Sequence, residues 1–182
     1  MRLLYMRAME QVFSRTIRAG HIKDAAQEHV VVADEAARAA LAAVYGLEGI
    51  ALLRGTFVLQ HERGGVISAT LEMQARVTQT CVVTLEPFEA RIAERCRLRF
   101  VPASSLPEGE EEEELDPESL EGPDEIPYTN DMIDLGAALA EQLALALDPY
   151  PRKPGAELPE EYRGEPEAPF AVLAAKFGKP PR

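Results

Sequence analysis

Between residues 71 and 81 the chain alternates strictly. Leu71, Met73, Ala75, Val77 and Cys81 are apolar, and Glu72, Gln74, Arg76, Thr78 and Thr80 between them are polar. A period of two marks a strand with one buried face and one wet face. The strand predicted here covers residues 66–83. A second apolar run at 50–61 (IALLRGTFVLQH) lies across Glu62-Arg63-Gly64-Gly65, whose two glycines suit a tight hairpin. On the other side, a turn around Leu85-Glu86-Pro87 leads into residues 90–101 (ARIAERCRLRFV), where alternation returns. Two shorter β-branched runs, at 11–18 and 28–33, precede these. The economical topology is an antiparallel meander.

Two helices interrupt or follow the strands. Asp34 can cap the first, the body EAARAALAAVY is rich in alanine, and Gly46 is placed to end it in a left-handed conformation. Ala37, Leu41, Val44 and Tyr45 should form its packing face. Asp134 can cap LGAALAEQLALAL, in which Leu135, Leu139, Leu143 and Leu147 recur every four residues beside Ala138 and Ala146, and Asp148-Pro149 ends the run. The expected fold class is therefore α+β: an antiparallel sheet or partial barrel covered by two main helices, forming one domain over residues 11–156 after a flexible segment at 1–10. The remaining residues, 157–182, are proline-rich and extended. Pro169 suits a first helical position there, and Phe170, Leu173, Ala174 and Phe177 would line a short amphipathic helix ended by Gly178. Docking of that helix on its own domain and docking in a partner's groove are both open.

Composition changes the picture in one respect. The chain has 182 residues, 46% of them apolar, and a formal charge of -12. Eleven acids and no Lys or Arg fall between Glu108 and Glu125, and without them 20 acidic residues stand against 19 basic ones. The acidity thus belongs to one segment, and a basic surface elsewhere is allowed. With three prolines and few apolar side chains, that segment reads as a mobile acidic loop at 103–125. It is either a solvated insertion or an element that meets a basic partner. No run approaches the ~18 apolar residues of a membrane span, and the opening residues lack a signal-peptide core. Two cysteines are too few for a disulfide scaffold or a four-thiolate zinc site, which points to the cytoplasm.

Candidate chemistry is sparse. His21, His29 and His61 have no helical pairing, and there is no phosphate-cradling glycine loop, no nucleophile elbow and no calcium-loop spacing. No catalytic residue, metal, cofactor or small-molecule substrate is therefore expected. Cys81 and Cys96 both fall on the apolar side of their strands. With the hairpin turning near Glu86, the residue facing Cys81 would lie near Ala93, which leaves the thiols out of register and free. More informative is the other side of the last strand. Arg91, Arg95, Arg97 and Arg99 project together from it. Such a row can follow an RNA backbone, because each planar guanidinium donates two hydrogen bonds to phosphate oxygens. It can equally be surface charge paired with carboxylates, since no aromatic residue interleaves to stack bases.

The segment QTCVVTLEPFEARIAERCRLRFVP at 79–102 resembles the central signature of the YceD family, and IDLGAALAEQLALALDPYPRKPGA at 133–156 resembles its second signature in the proteobacterial form. The early FSR at Phe13 to Arg15 is also similar. The signature positions are Cys81, Leu85, Glu86 and Pro87, then Asp134, Leu135, Glu141, Leu143, Pro149 and Pro151. Many relatives carry a second cysteine three positions after the first, and some a cysteine-rich tail that suggests zinc; this chain departs from them, with Thr84 at that position and no cysteine after Cys96. The resemblance implies a non-enzymatic factor needed for large-subunit ribosomal RNA accumulation, through processing or assembly. Its partner would be a large-subunit ribosomal RNA precursor or a ribosomal protein. An alternative of a different class is a protein-binding module whose acidic loop holds a basic ribosomal protein.

Overall fold

The computed structural model describes residues 12–105 and 122–157. In chain order the elements are β1 (Thr16–Arg18), β2 (Gln27–Val32), α1 (Glu35–Tyr45), β3 (Gly49–His61), β4 (Ile67–Thr80), β5 (Pro87–Pro102), β6 (Asp124–Tyr128), β7 (Met132–Asp134) and α2 (Leu135–Ala146). Strands β2 to β5 form the expected antiparallel meander, with Val77 opposite Ala90 and Leu71 opposite Cys96. The fifth strand departs from it. β6 joins β5 in parallel, Leu98 facing Asp124. β1 and β7 make a separate antiparallel pair. Among the described residues the five-stranded sheet does not close into a barrel, since its edge strands β2 and β6 pair only with β3 and β5.

The alternation read from sequence decides which face is inside. Leu71, Met73, Ala75 and Val77 are buried with Leu53, Phe57 and Leu59 of β3 and Leu98 and Phe100 of β5. Their common face packs on α2, whose Leu135, Ala138, Leu139, Ala140 and Leu143 are all buried. Gly55 of β3 makes this approach possible: a Cβ there would stand 2.8 Å from Leu139 and 3.0 Å from Leu71. α1 lies beside α2, and the Tyr45 hydroxyl donates to the Ala140 carbonyl at 2.7 Å.

Several expectations need correction. The run at 11–18 is a strand only from Thr16 to Arg18, because Phe13 turns into the core and the Arg15 carbonyl accepts from Leu135 N–H. Val44 is 47% exposed, and the packing face of α1 runs instead through Ala37, Leu41 and Ala42, with Tyr45 half-buried. Strand β4 ends at Thr80 and β5 begins at Pro87, so the turn occupies residues 81–86 rather than centring on Glu86. β6 and β7 were not foreseen; Ile126 and Ile133 are buried and hold them to the core. Asp124 and Glu125 of the acidic run belong to β6, while its other acids lie outside the described residues, as do the 1–10 segment and the expected C-terminal helix.

The first helix is capped as its sequence asks. Asp34 accepts from Ala37 N–H at 2.9 Å, and Gly46 takes φ 65° and donates to the Ala42 and Ala43 carbonyls. The Ala37 N–H holds the Asp34 carboxyl below its ordinary value, with Arg15 at 3.0 Å helping. Asp34→Ala should lower Tm by about 3 °C and Asp34→Ser by much less, in a thermal melt at neutral pH. The stabilisation is full above the ordinary carboxylate pKa and disappears as pH falls through the lowered one, so wild type and Asp34→Ala should converge in acid.

Candidate functional site

The outer face of the sheet carries the arginine row. Arg91, Arg95, Arg97 and Arg99 all point away from the core, since Ile92, Cys96, Leu98 and Phe100 take the inner positions between them. Their surroundings differ. Arg99 is held by Glu125 at 2.9 Å and Glu62 at 3.4 Å. Arg95 stands opposite Glu72 at 3.7 Å, and Arg91 reaches Glu89 at 3.6 Å. Arg97 has no carboxylate partner among the described residues and edges a shallow depression of about 280 Å³ lined by Val58, Ser68, Thr70 and Pro123. Exposed pairs at these distances contribute only about 0–1 kcal/mol, so a polyanion can displace them. Register brings two further arginines to this face, Arg54 from β3 and Arg76 from β4. The polar phase of each strand was the signal that could have found them.

A second constellation forms where the turn after β4 meets the chain leaving α2. Cys81 N–H donates to the Glu86 carbonyl, and Leu85 N–H to the Cys81 carbonyl, both at 2.9 Å, with Leu85 at φ 58°. The later segment closes on this turn. Val82 N–H donates to the Pro151 carbonyl at 2.9 Å, the Gln79 amide to the Asp148 carbonyl at 3.3 Å, and Lys153 pairs with Glu86 at 2.9 Å. Val82, Leu85 and Tyr150 remain exposed around it.

Cys81 is fully buried at the centre of this junction, with Thr84 N–H on its Sγ at 3.4 Å. Glu86 stands opposite it in place of the expected neighbourhood of Ala93, because the turn starts at Cys81 itself; Ala93 faces Gln74. Cys96 faces Leu71 and is half-buried, and both thiols are free. Hydrogen bonding with the Thr84 side chain lowers the Cys81 pKa to about 7 against the opposing effect of burial, and the N–H groups of Lys153, Thr84 and Val83 add to the lowering. Burial raises that of Cys96, and Asp124 and Glu94 push the same way. In Cys96→Ser the thiolate absorbance near 240 nm should therefore rise with a midpoint near pH 7, and in Cys81→Ser only above the ordinary thiol value of 9.0. A group whose pKa folding lowers stabilises the fold as pH rises, so the Cys81 contribution grows from about pH 7 and is complete above 9.0.

Residues 69–174 match the family described as large ribosomal RNA subunit accumulation protein YceD, which is more than half of the chain. The chain belongs to the YceD family. No match was found among curated proteins or among solved structures. The YceD signature positions divide into two groups in the fold. Cys81, Leu85, Glu86 and Pro87 lie in or beside the turn on which the segment carrying Pro149 and Pro151 closes, through Val82 N–H to the Pro151 carbonyl and Lys153 to Glu86, although the two segments are far apart in sequence. At the other end of α2, one Asp134 oxygen accepts N–H groups from Arg15 at 2.8 Å, Gly136 at 2.9 Å and Ala137 at 3.0 Å. Its second oxygen accepts the Ser14 hydroxyl, which joins the FSR segment to the second signature. Leu135 and Leu143 are buried between these ends, and Glu141 is half-buried with a partner. Most YceD signature residues thus frame α2, while the arginine face lies on the opposite side of the sheet. Among the described residues there is no group of three or more potential metal ligands, and no helix is long and apolar enough to cross a membrane.

Proposed function

We propose that the protein is a non-catalytic ribosome-biogenesis factor of the cytoplasm that contacts large-subunit precursor RNA through the outer face of its sheet. The observation that carries this reading is the alignment of the β5 guanidiniums on an open face, with Arg97 free of any described carboxylate. The family's description, accumulation of the large ribosomal RNA subunit, supplies the class of RNA. Phosphate contact fits the chemistry better than base readout, because among the described residues the face carries arginines with interspersed carboxylates, small polar residues and valines, and no stacking aromatic. The same surface suits a role in protecting or positioning a precursor.

Sedimentation of a lysate through a sucrose gradient tests the assignment. The protein is expected with large-subunit precursors, released by salt or ribonuclease. Confinement to the free-protein fractions after crosslinking would overturn it. Retention on a basic ribosomal protein after ribonuclease would favour the rival in which the run of acids between Glu108 and Glu125 makes the contact.

A further inference from the structure

We infer that Arg54, Arg76 and Arg91 form a phosphate-binding cluster on the outer face, at the end of the sheet where β3 begins, and that it takes the backbone of the same RNA; this rests on the RNA-contact reading above. The register places them together. Arg76 stands directly opposite Arg91 in the β4–β5 ladder, and Arg54 stands opposite Gln74, the next residue on the same face of β4. Directly opposed positions, as Arg76 and Arg91 are, have Cβ atoms about 4.5–5.5 Å apart and diagonal ones, as Arg54 and Arg76 are, about 7–8 Å; Arg54 and Arg91 flank β4 with Arg76 between them, and an anion above Arg76 is within reach of the long side chains on either side. All three side chains are exposed.

The arrangement works against folding. Like charges directly opposite one another on neighbouring strands are destabilising. Elsewhere on this face the chain avoids that: Glu72 opposes Arg95, and Glu62 and Glu125 flank Arg99. At this end, among the described residues, only Arg91 has a carboxylate beside it. Arg91 reaches only Glu89, at 3.6 Å, and Arg54 and Arg76 have no hydrogen bond or ion pair among the described residues. A phosphate placed among them would accept paired N–H groups from the planar forks and cancel the repulsion. With no aromatic neighbour on the face among the described residues, the ligand's charge and shape are recognised, and its base sequence is not. Arg91 and Arg97 are six residues apart on an extended strand, roughly 20 Å, so the cluster and the free Arg97 would grip one RNA at two points.

The opposed pair has a signature that ordinary surface charge lacks: neutralising it should strengthen folding and weaken binding together. The full chain is titrated with a labelled large-subunit ribosomal RNA transcript at several salt concentrations, and Tm is measured without RNA. Arg76→Gln should raise Tm. Arg54→Gln with Arg76→Gln should remove two contacts, flatten the logarithmic salt slope by about 1.4 and weaken affinity about 14-fold at 0.15 M salt, taking about 0.7 per contact. Unchanged affinity and slope in that double variant, with a loss in Arg95→Gln with Arg97→Gln, would overturn the cluster and leave the RNA face standing. Parental binding by both double variants would overturn the face as well. A fall in Tm for Arg76→Gln would show that the opposed arginines carry no repulsion and would also overturn the cluster.

Discussion

Gly136→Ala is expected to destabilise the protein by about 3 kcal/mol, the upper part of the range for overpacking a core. In an exposed helix interior the same change would stabilise by about 1 kcal/mol, because alanine has the better helix propensity. Packing reverses the sign here. A Cβ on Gly136 would stand 2.7 Å from the Arg15 nitrogen and 2.9 Å from both the Phe13 oxygen and the Ser14 carbonyl carbon. All three are backbone atoms, and they cannot yield easily. Arg15 N–H is held by Asp134, the Arg15 carbonyl by Leu135 N–H, and Phe13 is 2% exposed in the core. Gly55→Ala makes a useful contrast, since its close neighbours are the ends of Leu139 and Leu71, which can shift. Urea denaturation should place Gly136→Ala well below Gly55→Ala in midpoint. A gain of about 1 kcal/mol for Gly136→Ala would mean that the FSR segment does not lie across the start of α2.

That contact illustrates what sequence could and could not reveal. The strands with one buried face were legible because a period of two leaves little choice: Leu71 to Val77 are inside and Glu72 to Arg76 outside, as the alternation requires. Both helices were legible from their caps and apolar spacing, Asp34 with Gly46 and Asp134 with the leucine repeat. The short strands were not. DEIPY and MID have no periodicity long enough to read, and their pairing is imposed by the edges of β5 and β1. The position of the turn depended on Cys81 bonding to Glu86, a local closure that the alternation through Cys81 concealed.

The candidate site divides in the same way. A row on one strand follows from period two alone, so Arg91, Arg95, Arg97 and Arg99 could be grouped from sequence. Their neighbours on other strands needed the register. Arg54 opposes Gln74 because the β3–β4 hairpin pairs His61 with Ile67 and keeps that register unbroken as far as Leu52, and Arg76 opposes Arg91 because the β4–β5 turn closes at Thr80 and Pro87. Likewise nothing local announces that Glu86 will meet Lys153, or Val82 the Pro151 carbonyl. Those contacts exist because α2 carries the chain back past the end of β4 to the turn.

Neutralising Arg95 and Arg97 together, as Arg95→Gln with Arg97→Gln, is expected to weaken binding of a large-subunit ribosomal RNA transcript about 14-fold at 0.15 M salt and to flatten its logarithmic salt slope by about 1.4. The magnitude follows from counterion release, at about 0.7 per phosphate contact on single-stranded RNA. Folding should survive, because both side chains are exposed and glutamine keeps their polarity. The two residues should contribute unequally. Arg97 has no described carboxylate to leave, whereas Arg95 must part from Glu72 at 3.7 Å before it can meet a phosphate. Glu72→Gln should accordingly strengthen RNA binding, and Arg97→Gln alone should cost more affinity than Arg95→Gln alone. Arg99→Gln should cost least, since Glu62 and Glu125 already occupy its guanidinium. Anisotropy titrations of these variants at three salt concentrations test the order Arg97, Arg95, Arg99. If the double variant keeps the parental affinity and slope, the row is surface charge, and a basic protein becomes the partner to seek.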